Sequence, residues 1–262
     1  AASDVYKRQV ALARDYLSYM PQRRREPTPR STDRPEAQPS DVDALLDIIP
    51  PTGNQSYDMR SVLQMLADDG ACILLQPAYG PSMLCALARV GGIATMVVAN
   101  QPNVLAGAIT VAAAEKATHF IDVANAFGLP LLTLLDNPGV MPGPQSEREG
   151  VLKAAGRMFA AQRRYSGCKI VVTLRKAFGF GSSVMGMNPW DRQAISIALP
   201  SVSLGGIPAI GGADAAGASA TDADRLQALQ SGAWVPADAM AFDKVVNPTA
   251  LRREIIAVLQ RN

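Results

Sequence analysis

Short apolar runs recur along this chain between stretches of helical spacing, and glycine, proline or asparagine parts each from the next. Few folds accept that pattern. An apolar run of four to eight residues suits a buried strand, whereas apolar residues three and four apart line one face of a helix. Residues 71–75, 93–99, 131–136, 170–174 and 194–199 read as strands. Residues 115–127, 148–165, 221–231 and 249–259 carry helical spacing of Ala, Leu, Phe and Met. Such alternation indicates an α/β domain and not a helical bundle. The last helix follows Asn247-Pro248, where Asn ends a strand and Pro is pre-set for a turn or a first helical residue. The chain carries no tandem repeat.

With 262 residues, 48% of them apolar, and a formal charge of +2, the chain can bury one or two cores, and its charge points to no class of partner. Its apolar stretches are interrupted well before the roughly 20 residues of a membrane span. No basic segment leads into an apolar one, so a cytoplasmic protein is expected. Cys72, Cys85 and Cys168 are odd in number and widely spaced, and His119 is the one histidine. A disulfide framework is not expected from them, and neither is a metal site. Residues 1–9 resemble the translation of a library adaptor and are set aside, with the natural chain expected to continue upstream. Residues 10–56, rich in Pro and Arg from Pro21 to Pro51, are expected to form a linker draped over a neighbour, because so few aromatics cannot offset the ordering entropy. The run Arg23-Arg24-Arg25 lacks aromatic interleaving, so it does not mark a nucleic-acid surface. Residues 57–262 make the predicted domain.

Chemistry is sought where strands end. The strand at 131–136 runs into Asn137-Pro138-Gly139-Val140-Met141-Pro142-Gly143-Pro144, and the strand at 170–174 into Arg175-Lys176-Ala177-Phe178-Gly179-Phe180-Gly181-Ser182-Ser183. Glycine permits positive φ and lets a ligand approach the main chain, so two such turns can aim amides at an oxyanion. Spacing alone equally fits tight strand-to-helix connections. Neither turn completes a dinucleotide or phosphate-loop pattern, since Val184 stands where a third glycine belongs and no Gly-Lys-Ser/Thr exists. Side-chain catalysts are scarce. Ser182 and Ser183 are far in sequence from His119, so each reads as a helix cap or a ligand contact. Glu147 and Glu149 stand two apart and would face different ways on a helix, which suits first-turn acids better than an acid/base pair. Gly205-Gly206 and Gly211-Gly212, with the Ala-rich stretch to Ala220, read as a structural loop.

The motifs VANQP at Val98–Pro102, EKA at Glu115–Ala117, DNPGVMPG at Asp136–Gly143 and RKAFGFGSSVM at Arg175–Met185 fall in one order. With Asp58-Met59-Arg60, Asp69-Gly70, and Asp243 to Pro248 followed by Arg252, they resemble the β subunits of biotin-dependent acyl-CoA carboxylases. The resemblance covers nearly everything after the first twenty residues. It implies a crotonase-like fold, here the C-terminal, biotin-side carboxyltransferase lobe preceded by an extended linker. It further implies carboxybiotin on a carrier protein as carboxyl donor and an acyl-CoA as substrate, with no metal. The backbone amides of Phe180 and Gly181 would hold the ureido oxygen, with Gly139, Val140, Met141, Gly143, Gly179, Ser182 and Ser183 lining the biotin and substrate site. Implied partners are a biotin carboxyl carrier protein, a biotin carboxylase subunit and the N-terminal acyl-CoA-binding lobe of a neighbouring subunit in a homo-oligomer. Neither nucleic acid nor membrane is expected as a partner.

Four positions depart from the family. Phe180 replaces a usual Gly, Ser183 an acidic residue, Ser146 a Gln and Arg157 a Lys. Phenylalanine keeps its N–H but narrows φ, so the hole or the acyl pocket can be reshaped. Two other readings stand beside the enzyme: a non-catalytic assembly or binding subunit with a degenerate hole, and an enoyl-CoA hydratase or isomerase. The last requires a free carboxylate beside the amides, for which Asp136 is the sole candidate in the two loop cores.

Overall fold

The computed structural model describes residues 2–23, 26–31, 44–50, 53, 55–188, 191–208 and 219–262. Arg24 and Arg25 of the arginine run, residues 32–43 of the expected linker, and Gly211-Gly212 with the alanines to 218 lie outside the described residues.

Strand β2 (Met83–Val90) sends alternate side chains to opposite faces, as the two-residue repeat of a strand requires. Leu84, Ala86, Ala88 and Val90 join one buried cluster, and Met83, Cys85 and Leu87 join another. The same division runs through β3 (Ile93–Asn100), β4 (Leu131–Asn137) and β5 (Lys169–Phe178), so the sheet has a core on each side. One core is closed by Met59, Val62, Leu63 and Leu66 of the helix Met59–Leu66 and by Leu251, Ile255, Val258 and Leu259 of the helix Leu251–Arg261. The other is closed by Ala113, Ala117, Phe120 and Ile121 of the helix Val111–Phe127 and by Ala154, Ala155, Met158 and Ala161 of the helix Val151–Arg164. Both faces are therefore dry, which is why the central strands read as nearly continuous apolar runs.

In chain order the helices are α1 (Ala2–Ser18), α2 (Ala44–Ile48), α3 (Met59–Leu66), α4 (Val111–Phe127), α5 (Pro144–Arg148), α6 (Val151–Arg164), α7 (Gly179–Val184), α8 (Ala220–Gln230), α9 (Trp234–Asp238) and α10 (Leu251–Arg261). The remaining strands are β1 (Cys72–Leu75), β6 (Ile195–Ala198), β7 (Ser203–Gly205) and β8 (Lys244–Val245). Sheet order is β1-β2-β3-β4-β5-β6-β8, antiparallel from β1 to β3 and parallel from β3 onward, with β7 parallel to the last residues of β5. Asn247 caps the 3₁₀ turn Pro248–Ala250 before α10 by accepting from the Thr249 N–H, which fulfils the expected role of Asn247-Pro248.

Two features of the first 56 residues were not foreseen. Residues 2–9 of the stretch set aside and the start of the expected linker form α1, whose Leu12, Ala13, Tyr16 and Leu17 repeat at helical spacing beside Ile73. Its end is anchored by buried Tyr19 and Met20, with the Arg89 guanidinium 4.7 Å from the Tyr19 ring centroid. Residues 26–31 then lie along the chain's own domain, where Ala94 N–H donates to Pro29 O and Ser31 N–H to Gly92 O.

Candidate functional site

Strands β4 and β5 are parallel neighbours, so their carboxyl ends open side by side at the edge where parallel sheets place ligand sites. Beyond Asn137 the chain turns through Gly139 at φ 129° and Gly143 at φ 112°, values that an L side chain rarely adopts. Ile109 N–H donates to Gly139 O at 3.1 Å, and Met141 N–H donates to Ile109 O at 3.0 Å. These bonds fasten the turn to the segment leading into α4. Strand β5 continues four residues past its predicted end, to Phe178, because Arg175 and Lys176 face the end of β4 and Lys176, Ala177 and Phe178 pair with β7. Gly179 then reverses the chain at φ 56°, and α7 starts at once.

The two turns meet at Gly181. A Cβ there would lie 2.6 Å from Asn137 Oδ1 and 2.7 Å from Gly139 Cα, so only glycine allows this approach. The N–H groups of Phe180 and Gly181 precede the helix's own hydrogen-bond ladder, and no turn or loop acceptor pairs with either among the described residues. Phe180 is 44% exposed, and its ring centroid lies 5.9 Å from that of Phe159 on α6. Ser182 is inside α7, where its Oγ donates to Gly179 O at 2.7 Å, so of its two expected roles the helix cap is not the one it fills. Ser183, half-buried, offers its carbonyl to Asn188 Nδ2 at 2.9 Å. Gly139, Gly179, Phe180 and Gly181 are thus brought together, while Val140, Met141 and Gly143 form the half-buried outer arm of the first turn. His119 is exposed on α4, edge-on to Phe120 at 4.9 Å, and no Ser–His pair forms. Glu147 and Glu149 are exposed; Glu147 lies in the first turn of α5 and Glu149 follows its last residue, accepting from Gln145 at 3.0 Å. A separate cleft lined by Arg30, Ser166, Arg192 and Asn262 sits at the amino ends of β4 and β5, and none of the candidate residues lines it.

Beneath the turns lies a buried polar layer that spacing did not disclose. Asp136 is fully buried and accepts from Arg175 Nε at 2.9 Å and from Lys176 N–H at 3.3 Å, with Lys176 Nζ at 3.7 Å. Burial pushes its carboxyl up, and the cations of Arg175 and Lys176 oppose that. Arg175 also donates to Gln55 O at 2.7 Å and stacks over the Tyr57 ring at 5.0 Å. The ion pair therefore joins β4 to β5 and both to residues 55–57. Asn100 continues the layer, with its Oδ1 accepting from Asp136 N–H at 3.2 Å and Asn137 Nδ2 at 3.3 Å, and its Nδ2 donating to Gly107 O at 3.1 Å. Asn100 belongs to the VANQP motif, which suggests no role for it, and Asp136, the sole candidate for a free carboxylate in the two loop cores, is instead one half of a buried ion pair. The signal that could have found them was a carboxylate and a guanidinium at the ends of apolar runs, where a buried charge requires a partner.

A model of the carboxyl transferase domain matches residues 3–254, most of the chain. The chain belongs to that family. The methylmalonyl-CoA carboxyltransferase 12S subunit of Propionibacterium freudenreichii subsp. shermanii is 32% identical over 262 residues, covering 95% of this chain and 49% of that protein. The biotin-dependent long chain acyl-coenzyme A carboxylase beta4 subunit of Mycobacterium tuberculosis is 31% identical over 253 residues, covering 91% of this chain and 48% of that protein. A solved transcarboxylase 12S hexamer, with methylmalonyl-coenzyme A and methylmalonic acid bound, superposes with a TM-score of 0.88 at 30% identity, over 96% of this chain and 50% of that one. This carboxyl transferase domain thus has the crotonase-like α/β fold expected from the motifs, and it spans about half the length of these relatives. Among its described residues no helix is long and apolar enough to cross a membrane.

Proposed function

We propose that this chain is the biotin-side lobe of a biotin-dependent acyl-CoA carboxyltransferase, in which the N–H groups of Phe180 and Gly181 hold the ureido oxygen. The turn through Gly139, Val140, Met141 and Gly143 forms the opposite wall, and Gly179, Ser182 and Ser183 complete the pocket. Carboxybiotin on a carrier protein supplies the CO2 and the base for the α-proton of the acyl-CoA, so no ionisable side chain of this lobe is required as base. What the chain contributes is placement. Two fixed donors stabilise negative charge on one oxygen without reorganising during the reaction, and losing one such donor costs on the order of 100- to 1,000-fold in rate. Phe180 and Phe159 offer an apolar wall of a size suited to a small fused ring.

The observation that carries this reading is the pair of N–H groups without an internal acceptor, next to a second glycine turn, in a chain of the carboxyl transferase family. The hydratase or isomerase reading lacks its base, because Asp136 is fully buried and ion-paired to Arg175. The partners proposed are a biotin carboxyl carrier protein, a biotin carboxylase subunit, and an N-terminal acyl-CoA-binding lobe presented by a neighbouring copy in a homo-oligomer. The experiment is biotin-dependent decarboxylation of malonyl-CoA by a full-length subunit carrying this lobe. Turnover that saturates with biotin supports the proposal; a folded, oligomeric and silent protein supports the assembly subunit instead.

A further inference from the structure

Helix α7 has six residues, so whatever fixes its carboxyl end also fixes the amides at its start, about 9 Å away at 1.5 Å per residue. A buried polar cluster, separate from the Asp136 layer, grips that end. Asp191, 5% exposed, accepts on Oδ2 from Asn188 Nδ2 at 2.7 Å and from Gln162 Nε2 at 3.0 Å, and its Oδ1 is paired with Arg163 of α6. Asn188 also donates to the Ser183 carbonyl at 2.9 Å, and Gln162 Nε2 lies 3.4 Å from the same oxygen. Lys169, 1% exposed at the start of β5, donates to Gln162 Oε1 at 2.8 Å, which settles which end of that amide faces Asp191. Asp191 N–H donates to Gln193 Oε1 at 3.0 Å, and Gln193 Nε2 returns to Gly186 O at 3.1 Å.

We propose that Asn188, Gln162 and Asp191 form a clamp that sets the orientation of α7, and hence are positioning residues for the Phe180 and Gly181 amides. This rests on the assignment of those amides to the biotin oxygen. The clamp ties α7 to α6 and β5 through side-chain hydrogen bonds, whereas at Gly181 the helix meets the Asn137–Gly139 turn by close packing. A buried carboxylate accepting from three side chains is costly to misalign, because any donor that leaves uncovers charge away from water. None of the three touches the reacting atoms, so their loss acts through geometry alone.

The test uses Asn188→Ala and Gln162→Leu in the full-length subunit, with Arg164→Ala as control. Arg164 ends α6, where its exposed guanidinium pairs with Asp122 of α4. Decarboxylation of malonyl-CoA is measured with biotin and malonyl-CoA varied separately. A misplacement of about 1 Å can cost on the order of 100-fold, so each clamp variant is expected to lose about 10- to 100-fold in kcat/KM for biotin. The malonyl-CoA KM and the circular dichroism should stay at wild-type values, and Arg164→Ala should match wild type. Equal damage to both substrates, or wild-type turnover in both clamp variants, would overturn the clamp. Hydrogen exchange is the arm independent of activity. The N–H groups of Met185, Gly186 and Met187, bonded to Gly181 O, Ser183 O and Ser182 O, should exchange faster in Asn188→Ala while β4 and β5 keep their protection. Unchanged exchange there removes the clamp even if the wild-type subunit proves silent, whereas silence alone counts against the biotin assignment.

Discussion

Phe180 keeps the one group the proposed chemistry asks of its position, a main-chain N–H, and adds a ring where the resemblance to the family leads one to expect glycine. The two contributions separate by substitution. Phe180→Pro removes the donor at the second residue of a helix, where proline's fixed φ is tolerated. It should lower biotin-dependent turnover by about 100- to 1,000-fold. Phe180→Gly keeps the donor and should retain turnover, with any change confined to acyl-CoA preference; equal losses in both variants would mean the ring, not the amide, matters. A second residue-scale expectation concerns Lys169, whose ammonium is pushed down to about 8 from 10.5, first by burial and then by Arg163. The unfolded chain holds that proton up to about 10.5, so between the two values the unfolded state binds more protons and stability rises with pH. Below pH 8 the full penalty is present. Urea midpoints of wild type and Lys169→Met, compared from pH 7 to 10, should therefore shift in favour of wild type as pH rises, and a constant difference would contradict the buried charge. Cys85 is buried in the core, and that burial pushes its thiol up to about 12.

At the scale of elements, the site is an arrangement of strand ends. The Asp136–Arg175 pair fastens β4 to β5 directly below the turns. Removing one member of a buried pair is strongly destabilising, and Arg175→Met would leave Asp136 with the longer ion pair to Lys176, so it should cost about 3 kcal/mol in urea unfolding. A loss below about 1 kcal/mol would show that the strand ends are held by packing instead. Where strand and helix signals agreed, elements were legible in the sequence: β1, β3, β4 and β6 and helices α4, α6, α8 and α10 fall within a few residues of expectation. Strand β2 was missed because Met-Leu-Cys-Ala-Leu-Ala-Arg-Val is built mostly of helix formers, and pairing with β3 along its whole length overrides that preference. The clue lay in Gly91-Gly92, whose φ values of 61° and 77° make the tight hairpin that such a dipeptide favours. Asp68 completes the turn by accepting from both glycine N–H groups, at 2.9 and 2.6 Å. Helix α1 was not legible because its first residues resemble a library adaptor, although Leu12, Ala13, Tyr16 and Leu17 carry helical spacing. The glycine turns were legible as a pair, since positive φ demands glycine locally. The Asp136 layer and the Asp191 cluster were not, because their members are brought together by the sheet and lie 39 residues apart for Asp136 and Arg175, and 29 for Gln162 and Asp191.

For the whole molecule, length is the governing fact, since the chain spans about half of the relatives it matches. In the reading proposed here the acyl-CoA is held elsewhere, so the purified 262-residue chain with free biotin should not carboxylate or decarboxylate an acyl-CoA. Robust turnover by this chain alone would refute its assignment as one lobe of two. Joined to an acyl-CoA-binding lobe it should become active, with rates that saturate in biotin. The most direct measurement is a crystal structure of the assembled subunit with biotin bound. It should place the ureido oxygen about 2.7–3.1 Å from the nitrogens of both Phe180 and Gly181, in front of the Gly139 turn. Biotin seated elsewhere, or those two N–H groups bonded within the protein while biotin is bound, would contradict the role given to the main chain.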